Sequence, residues 1–258
     1  MNAEIQQVSS LVISARKALF DNTEIDFTPN TNVQSIRFLF TPKFLFFKSV
    51  NANSVCDWFN ICLRRGLKDI KFILPINKEN KHLLGFANTS RCAIICYWKN
   101  GSISSFHPIW EFDQEKGGCN IIYTEHRVKK NSVTKNLKFS DQTDEFKQTL
   151  LDIKKFAIEI EHTCFSDVFH DAYLSLCGEK SIGDDSVPKQ IPSEFKNIYY
   201  AVDKADVFGA MGSWNDSPPF NAHYKGLDKE YDELSNRLLI QLRYHLIYVT
   251  NECWKKDR

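Results

Sequence analysis

Three apolar runs, separated by two turn signals, constrain the fold more than any other part of this sequence. The runs read RCAIICYW, SISSFHPIWEF and CNIIYTEHRV, and the turn signals between them are Asn100-Gly101 and Gly117-Gly118. An Asn-Gly pair favours a type I′ hairpin turn because both residues tolerate positive φ. We therefore predict a three-stranded antiparallel meander over residues 91–128.

Two further segments extend the predicted sheet. The apolar runs 36–40 and 44–48 are separated by the letters TPK, a short connection that predicts a hairpin. The run KDIKFILPI predicts one more strand, which stops at Pro75 because proline cannot donate to a ladder of hydrogen bonds.

Helical periodicity marks most of the remaining chain, where apolar residues recur every three or four positions. This pattern predicts helices over residues 4–20, 53–66, 143–177, 193–208 and 227–253. Strands and helices are segregated along the chain and do not alternate as in a parallel α/β protein. We therefore expect an α+β fold with an antiparallel sheet packed by helices and a helical C-terminal third.

The segment GEKSIGDDSVPKQIP is the best candidate for a domain boundary because it is rich in turn-forming residues. It divides the chain into a sheet-containing region, 1–177, a linker or long loop, 178–192, and a helical region, 193–258. We expect the helical region to pack on the first as one globular unit.

Composition argues against several classes of protein. The 258 residues carry a formal net charge of +1, whereas a dedicated nucleic-acid binder usually has a strong basic excess. Glu4 stands where a signal peptide would be basic, no apolar run is long enough to span a membrane, and the eight cysteines form no CxxC pair. These features indicate a cytoplasmic protein with buried free thiols, no metal site and, since no phosphate-binding glycine motif occurs, no nucleotide cofactor.

The segment VFGAMGSWNDSPP, residues 207–219, departs from the rest of the chain in composition. Glycines allow unusual backbone angles, Asn and Asp stabilise turns, and a tryptophan is a common anchor at protein interfaces. The sequence leaves open whether Trp214 fills the core or contacts a partner. The candidate binding residues are Gly209, Met211, Gly212, Trp214, Asn215, Asp216 and Phe220, with Tyr224 as a further member.

The letters VFGAMGSWND resemble an FGGMGSWND-type segment found in uncharacterised small bacterial cytosolic proteins, some of which are similar to immunity proteins of toxin systems. The match covers about ten residues, and Ala210 departs from the double glycine of that pattern. The resemblance implies a protein that neutralises a toxin by direct binding, and it carries over no catalytic residue.

Direct protein binding is therefore the function that the sequence favours, with a toxin as the most specific partner. One alternative is a hydrolase that uses the loop 209–223, with Asp216 and His223 as an acid–base pair. Another is a nucleic-acid-associated protein that uses the basic stretch 126–138.

Overall fold

The computed structural model describes residues 1–42, 50–76, 84, 86, 88–128, 141–183 and 187–254. The chain divides into two compact units, and each collects segments that are distant in sequence. We call residues 3–74, 90–138 and 250–258 the sheet unit, and residues 1–2, 75–89 and 139–249 the helical unit. No described helix is both long and apolar enough to cross a membrane.

The sheet unit contains six strands and two helices among its described residues. The helices are α1, Ala3–Asp21, and α2, Val55–Arg64. The strands are β1, Val33–Leu39; β2, Asn51–Ala52; β3, Leu67–Ile73; β4, Ala93–Trp98; β5, Ile103–Asp113; and β6, Gly118–Val128. Helix α2 begins at a cap in which Ser54 Oγ accepts the Asp57 N–H at 3.0 Å.

The six strands form one sheet in the order β2-β1-β6-β5-β4-β3. The pairs β1–β2, β3–β4, β4–β5 and β5–β6 are antiparallel, but β1 pairs in parallel with β6. The sheet is therefore mixed, and the expectation of a purely antiparallel sheet is wrong. Local turn signals specify hairpins between consecutive strands, whereas the β1–β6 pair joins strands about 85 residues apart in sequence, for example Phe38 beside Tyr123.

Only the first arm of the hairpin predicted between runs 36–40 and 44–48 lies within the described residues. This arm coincides with β1, whose antiparallel partner is the two-residue strand β2. The second arm lies outside the described residues.

The turn between β4 and β5 differs from the predicted type. Gly101 has a φ of 78°, but Asn100 is not in the left-handed region, so the turn is not type I′. The Gly101 N–H donates to Trp98 O at 2.9 Å and Asn100 Oδ1 accepts the Ser102 N–H at 3.0 Å. This arrangement is a three-residue connection in which only the glycine needs positive φ.

The core of the sheet unit is a stack of aromatic rings against one face of the sheet. Phe38 of β1 lies between Trp58 of α2 and Tyr123 of β6, with ring centroids 4.7 Å apart on each side. Phe106 of β5 meets Phe38 edge-on at 6.1 Å. These four side chains are fully buried, and the alternation of side chains along β1, β5 and β6 directs Phe38, Phe106 and Tyr123 to this face.

The helical unit contains α3, Thr143–Glu159; α4, Thr163–Leu176; α5, Ser193–Ala205; α6, Pro218–Tyr224; and most of α7, Asp228–Glu252. The segment 178–192 connects α4 and α5, two helices that pack against each other within this unit.

The single long helix expected over residues 143–177 is wrong, because α3 and α4 are separate. Glu161 has a φ of 64°, which ends α3. The His162 N–H then donates to Ala157 O at 2.8 Å and the Glu161 N–H to Ile158 O at 3.0 Å. These two bonds form a Schellman motif with glutamate at the position that glycine usually occupies, so no glycine marks the break in the sequence.

Candidate functional site

The loop between α5 and α6 is closed by the side chain of Asn215. Its Oδ1 accepts the Gly209 N–H at 2.9 Å and its Nδ2 donates to Gly209 O at 2.8 Å. Asn215 Oδ1 also accepts the hydroxyl of Ser213 at 2.9 Å, and the Trp214 N–H donates to Val207 O at 2.9 Å. The Asn215 side chain thus accepts one hydrogen bond from the backbone of Gly209 and donates one to it, as the backbone of a neighbouring strand would. These two bonds hold the two ends of the loop together.

The two glycines of the loop have different roles. Gly212 has a φ of 80°, and its N–H donates to Asp216 Oδ2 at 2.7 Å. Gly209 is outside the left-handed region, and a Cβ added there would meet only Ser213 Cβ at 3.5 Å, which is ordinary contact. Ala210 is also outside the left-handed region. Only Gly212 therefore needs the conformational freedom that the sequence suggests for this loop.

Trp214 is completely buried, so the structure places it in the core of the helical unit and not on a contact surface. Its ring stacks on Tyr231 at 5.7 Å and meets Phe165 and Phe169 edge-on, each at 5.3 Å. Its Nε1 donates to Ser235 Oγ at 2.8 Å. Trp214 therefore fastens the loop to α4 and α7, and in this conformation it cannot itself contact a partner.

Tyr231 of α7 also holds this loop in place, through a hydrogen bond to its backbone. Its hydroxyl donates to Trp214 O at 2.8 Å. Burial raises the pKa of Tyr231 to about 12, so the hydroxyl stays protonated and able to donate even above the ordinary tyrosine pKa of about 10.

Three apolar side chains of the loop and α6 face solvent. The exposed fractions of Met211, Tyr224 and Phe220 are 94%, 85% and 71%, which are the three highest for large hydrophobic residues in the described part of the chain. Phe220 and Tyr224 are four residues apart on α6, so they lie on the same side of that helix. We call these three residues the exposed apolar set.

Helix α6 is attached to the break between α3 and α4 by two side chains that the sequence analysis did not single out. Asn221 Nδ2 donates to Ile160 O at 3.0 Å, and Lys225 Nζ donates to Glu159 O at 2.7 Å. Lys225 also forms an ion pair with Glu161 at 2.7 Å, and this hydrogen bond lowers the pKa of the Glu161 carboxyl. The end of α3 supplies carbonyl groups without intrahelical partners, and α6 satisfies them.

The structure does not assemble the pair expected for a hydrolase. Asp216 accepts the Gly212 N–H, as described above, while His223 Nδ1 lies 2.9 Å from Asp228 Oδ1. The His223 ring is largely exposed, with 77% of its side chain accessible, so no enclosed site surrounds it. Each residue thus has a partner other than the one that acid–base chemistry would require.

A groove of about 780 Å³ is lined by residues of α3, of α7 and of the short connection that follows α6 in the sequence. Its apolar floor includes Phe156, Leu227 and Leu234, and its rim carries charges of both signs. On that rim Arg237 Nη2 is 2.6 Å from Asp152 Oδ2. Neither Asp216 nor His223 lines the groove.

The basic stretch 126–138 is described only at its start. His126 and Arg127 belong to β6, and both are exposed. The lysines that follow lie outside the described residues.

All eight cysteines are free thiols. Cys62, Cys92, Cys96 and Cys253 are buried, Cys119 and Cys177 are half-buried, and Cys56 and Cys164 are exposed. Burial raises the pKa of Cys92 to about 12, so this thiol is unreactive at neutral pH.

Comparisons with known proteins gave no relative: no family model matches the chain, and neither a curated protein nor a solved structure matches it significantly.

Proposed function

We propose that this protein acts by binding another protein through the loop 207–217 and helix α6. The observation that carries the proposal is the exposed apolar set, Met211, Phe220 and Tyr224, on a segment that buried contacts hold in one conformation. Large apolar side chains that remain in solvent on an ordered scaffold are typical of protein interfaces. A preorganised loop also loses less conformational entropy on binding than a flexible one.

The contacts divide the predicted binding residues into two groups. Trp214, Asn215, Asp216 and Gly212 shape the loop from within. Met211 and Phe220, with Tyr224, are accessible to a partner. This division supports binding over catalysis, because the accessible members are apolar and the polar members are used to hold the loop.

The more specific form of the proposal is that the partner is a toxin and that this protein neutralises it by stoichiometric binding in the cytoplasm. The resemblance of residues 207–216 to immunity-type proteins supports this form. The eight free thiols fit a reducing compartment.

The test compares capture of a partner from the lysate of the native host by three baits. They are the wild type, a Phe220→Ser/Tyr224→Ser variant, and an Ile109→Ser/Phe112→Ser control that changes two exposed apolar residues of β5, whose exposed fractions are 50% and 66%. The proposal expects one protein to be captured stoichiometrically by the wild type and the control. Affinity of the purified partner for the α6 variant should fall at least about tenfold.

Two results would contradict the proposal. Equal capture by all three baits would remove the loop and α6 as the interface, and the absence of any stoichiometric partner would remove the binding function. For the toxin form, the partner expressed alone should stop growth of a bacterial host, and co-expression of the wild type should restore it. A harmless partner would leave the binding function standing and exclude the toxin.

A further inference from the structure

Two histidines from neighbouring strands lie together on the face of the sheet opposite the aromatic core. In the β5–β6 register Ser105 is opposite His126, and His107 is opposite Thr124. Ser105, His107 and His126 therefore share one face, and the two histidines are diagonal neighbours. Both are exposed, and their ring centroids are 5.3 Å apart with the ring planes at 75°.

This separation suits two imidazoles that bind the same ion. Metal–nitrogen bonds of about 2.0–2.1 Å at a tetrahedral angle place the two nitrogens roughly 3.4 Å apart and the ring centroids roughly 5–6 Å apart. The observed 5.3 Å falls within that interval.

Ser105 supplies the supporting contact that metal-binding histidines commonly have. Its hydroxyl oxygen is 2.9 Å from His107 Nε2, and the serine is buried. When Nε2–H donates to this oxygen, Nδ1 carries the lone pair that an ion requires. Histidines that bind metals usually anchor their second ring nitrogen in this way.

We propose that His107 and His126 chelate one divalent transition-metal ion of the Cu²⁺, Ni²⁺ and Zn²⁺ class. Neutral imidazole suits these ions, and Cu²⁺ should bind most tightly of the three. Within the described residues, no group of three or more His, Cys, Asp or Glu side chains could hold a metal. Two protein ligands leave coordination positions open for water or for an external ligand. This site is separate in sequence and residues from the proposed binding loop.

The test is a titration of the metal-free full chain with Cu²⁺ and Zn²⁺ in a non-chelating buffer at about pH 7.5, where histidine is mostly neutral. The variants are His107→Gln and His126→Gln. The matched control is His223→Gln, which removes an exposed histidine bonded to Asp228. The wild type and the control should bind one ion per chain, and each site variant should bind at least about tenfold more weakly because the chelate is lost.

Electron paramagnetic resonance of the Cu²⁺ form gives a second readout that does not depend on affinity. The wild type should show coupling to two imidazole nitrogens, and each site variant to one. Ser105→Ala should weaken binding by about 10-fold or more if the serine orients His107. Equal affinity of the wild type and His107→Gln, or a single-nitrogen spectrum in the wild type, would overturn the proposal. Circular dichroism of each variant checks that the fold is retained.

Discussion

At the scale of single residues, the tryptophan of the loop shows how burial separates two roles that look alike in a sequence. A tryptophan among glycines, Asn and Asp is typical of both an interface anchor and a core plug. Trp214 is a core residue, enclosed by aromatic rings and bonded to Ser235. Met211 and Phe220 nearby remain accessible to a partner. No local sequence pattern predicts that these two side chains are exposed.

The burial of Trp214 predicts that Trp214→Ala destabilises the protein. Removing a large buried aromatic side chain costs about 3–5 kcal/mol, from lost apolar burial and the cavity that remains. Trp214→Phe should cost less, because it keeps one aromatic ring in the cluster, although it loses the bond to Ser235 and part of the buried volume. Urea unfolding of the three proteins measures these differences. A loss below about 1 kcal/mol for Trp214→Ala would show that the side chain is accessible after all.

At the scale of elements, the break between α3 and α4 determines where α6 can attach. The break exposes the carbonyl groups of Glu159 and Ile160, and Asn221 and Lys225 of the α6 region bond to them. A continuous helix through residues 160–162 would use these carbonyl groups internally. The conformation of one residue, Glu161, therefore controls the attachment of the proposed binding helix.

Glu161→Gly is expected to stabilise the protein. A non-glycine residue in the left-handed region costs about 1–2 kcal/mol, which glycine avoids. Part of this gain is offset because glycine has more freedom in the unfolded chain and because the exposed pair with Lys225 is lost. We expect a net gain of up to about 1 kcal/mol in the free energy of unfolding.

Lys225→Met is the control for the lost ion pair, because it keeps Glu161; it also removes the hydrogen bond from Lys225 to Glu159 O. It should be slightly destabilising in the same urea experiment. Both variants lose the ion pair, so Glu161→Gly should be the more stable of the two, and the opposite order would exclude the backbone conformation of Glu161 as a source of the gain.

At the scale of the whole molecule, the two units have different cores, one a sheet covered by helices and the other purely helical in its described part. The helical unit contains a buried histidine that resists protonation. His245 is fully buried in the helical unit, where it stacks on Phe146 at 4.8 Å and its Nδ1 lies 2.8 Å from Gln241 O. Burial lowers the pKa of His245, although Gln241, Asp141, Gln142 and Glu145 favour its charged form.

This burial predicts that the protein loses stability as the pH falls below about 6.5, the ordinary pKa of histidine. The unfolded chain binds a proton there, whereas the folded state, with a lowered pKa, remains neutral. Stability is complete above the unfolded pKa and is lost as the pH falls toward the folded pKa. Partial desolvation and the neighbouring His126 lower the pKa of His107, and partial burial lowers the pKa of His162, so both act in the same direction.

Urea unfolding at about pH 7.5 and about pH 5.5 measures the effect, on either side of the histidine pKa. His245→Asn should be less stable than the wild type at both values but should lose less between them. His223→Asn, which changes an exposed histidine, should keep the full wild-type loss. An equal loss in His245→Asn and the wild type would exclude His245 as a source of the pH dependence.

The sequence by itself determined the elements whose signals are local. The periods of the apolar residues marked α1, β3 and the final helix, and paired glycines marked the turn before β6. These signals succeed because a helix, a cap or a tight turn depends on side chains a few positions apart.

Only the tertiary structure decided the features that depend on residues distant in sequence. The parallel pairing of β1 with β6 gave a mixed sheet, the burial of Trp214 removed it from the surface, and the β5–β6 register placed His107 beside His126. The break at Glu161 carries no glycine and is supported by Lys225, 64 residues further on. Each of these features depends on packing between segments that are distant in sequence. A local sequence pattern does not predict the free energy of that packing.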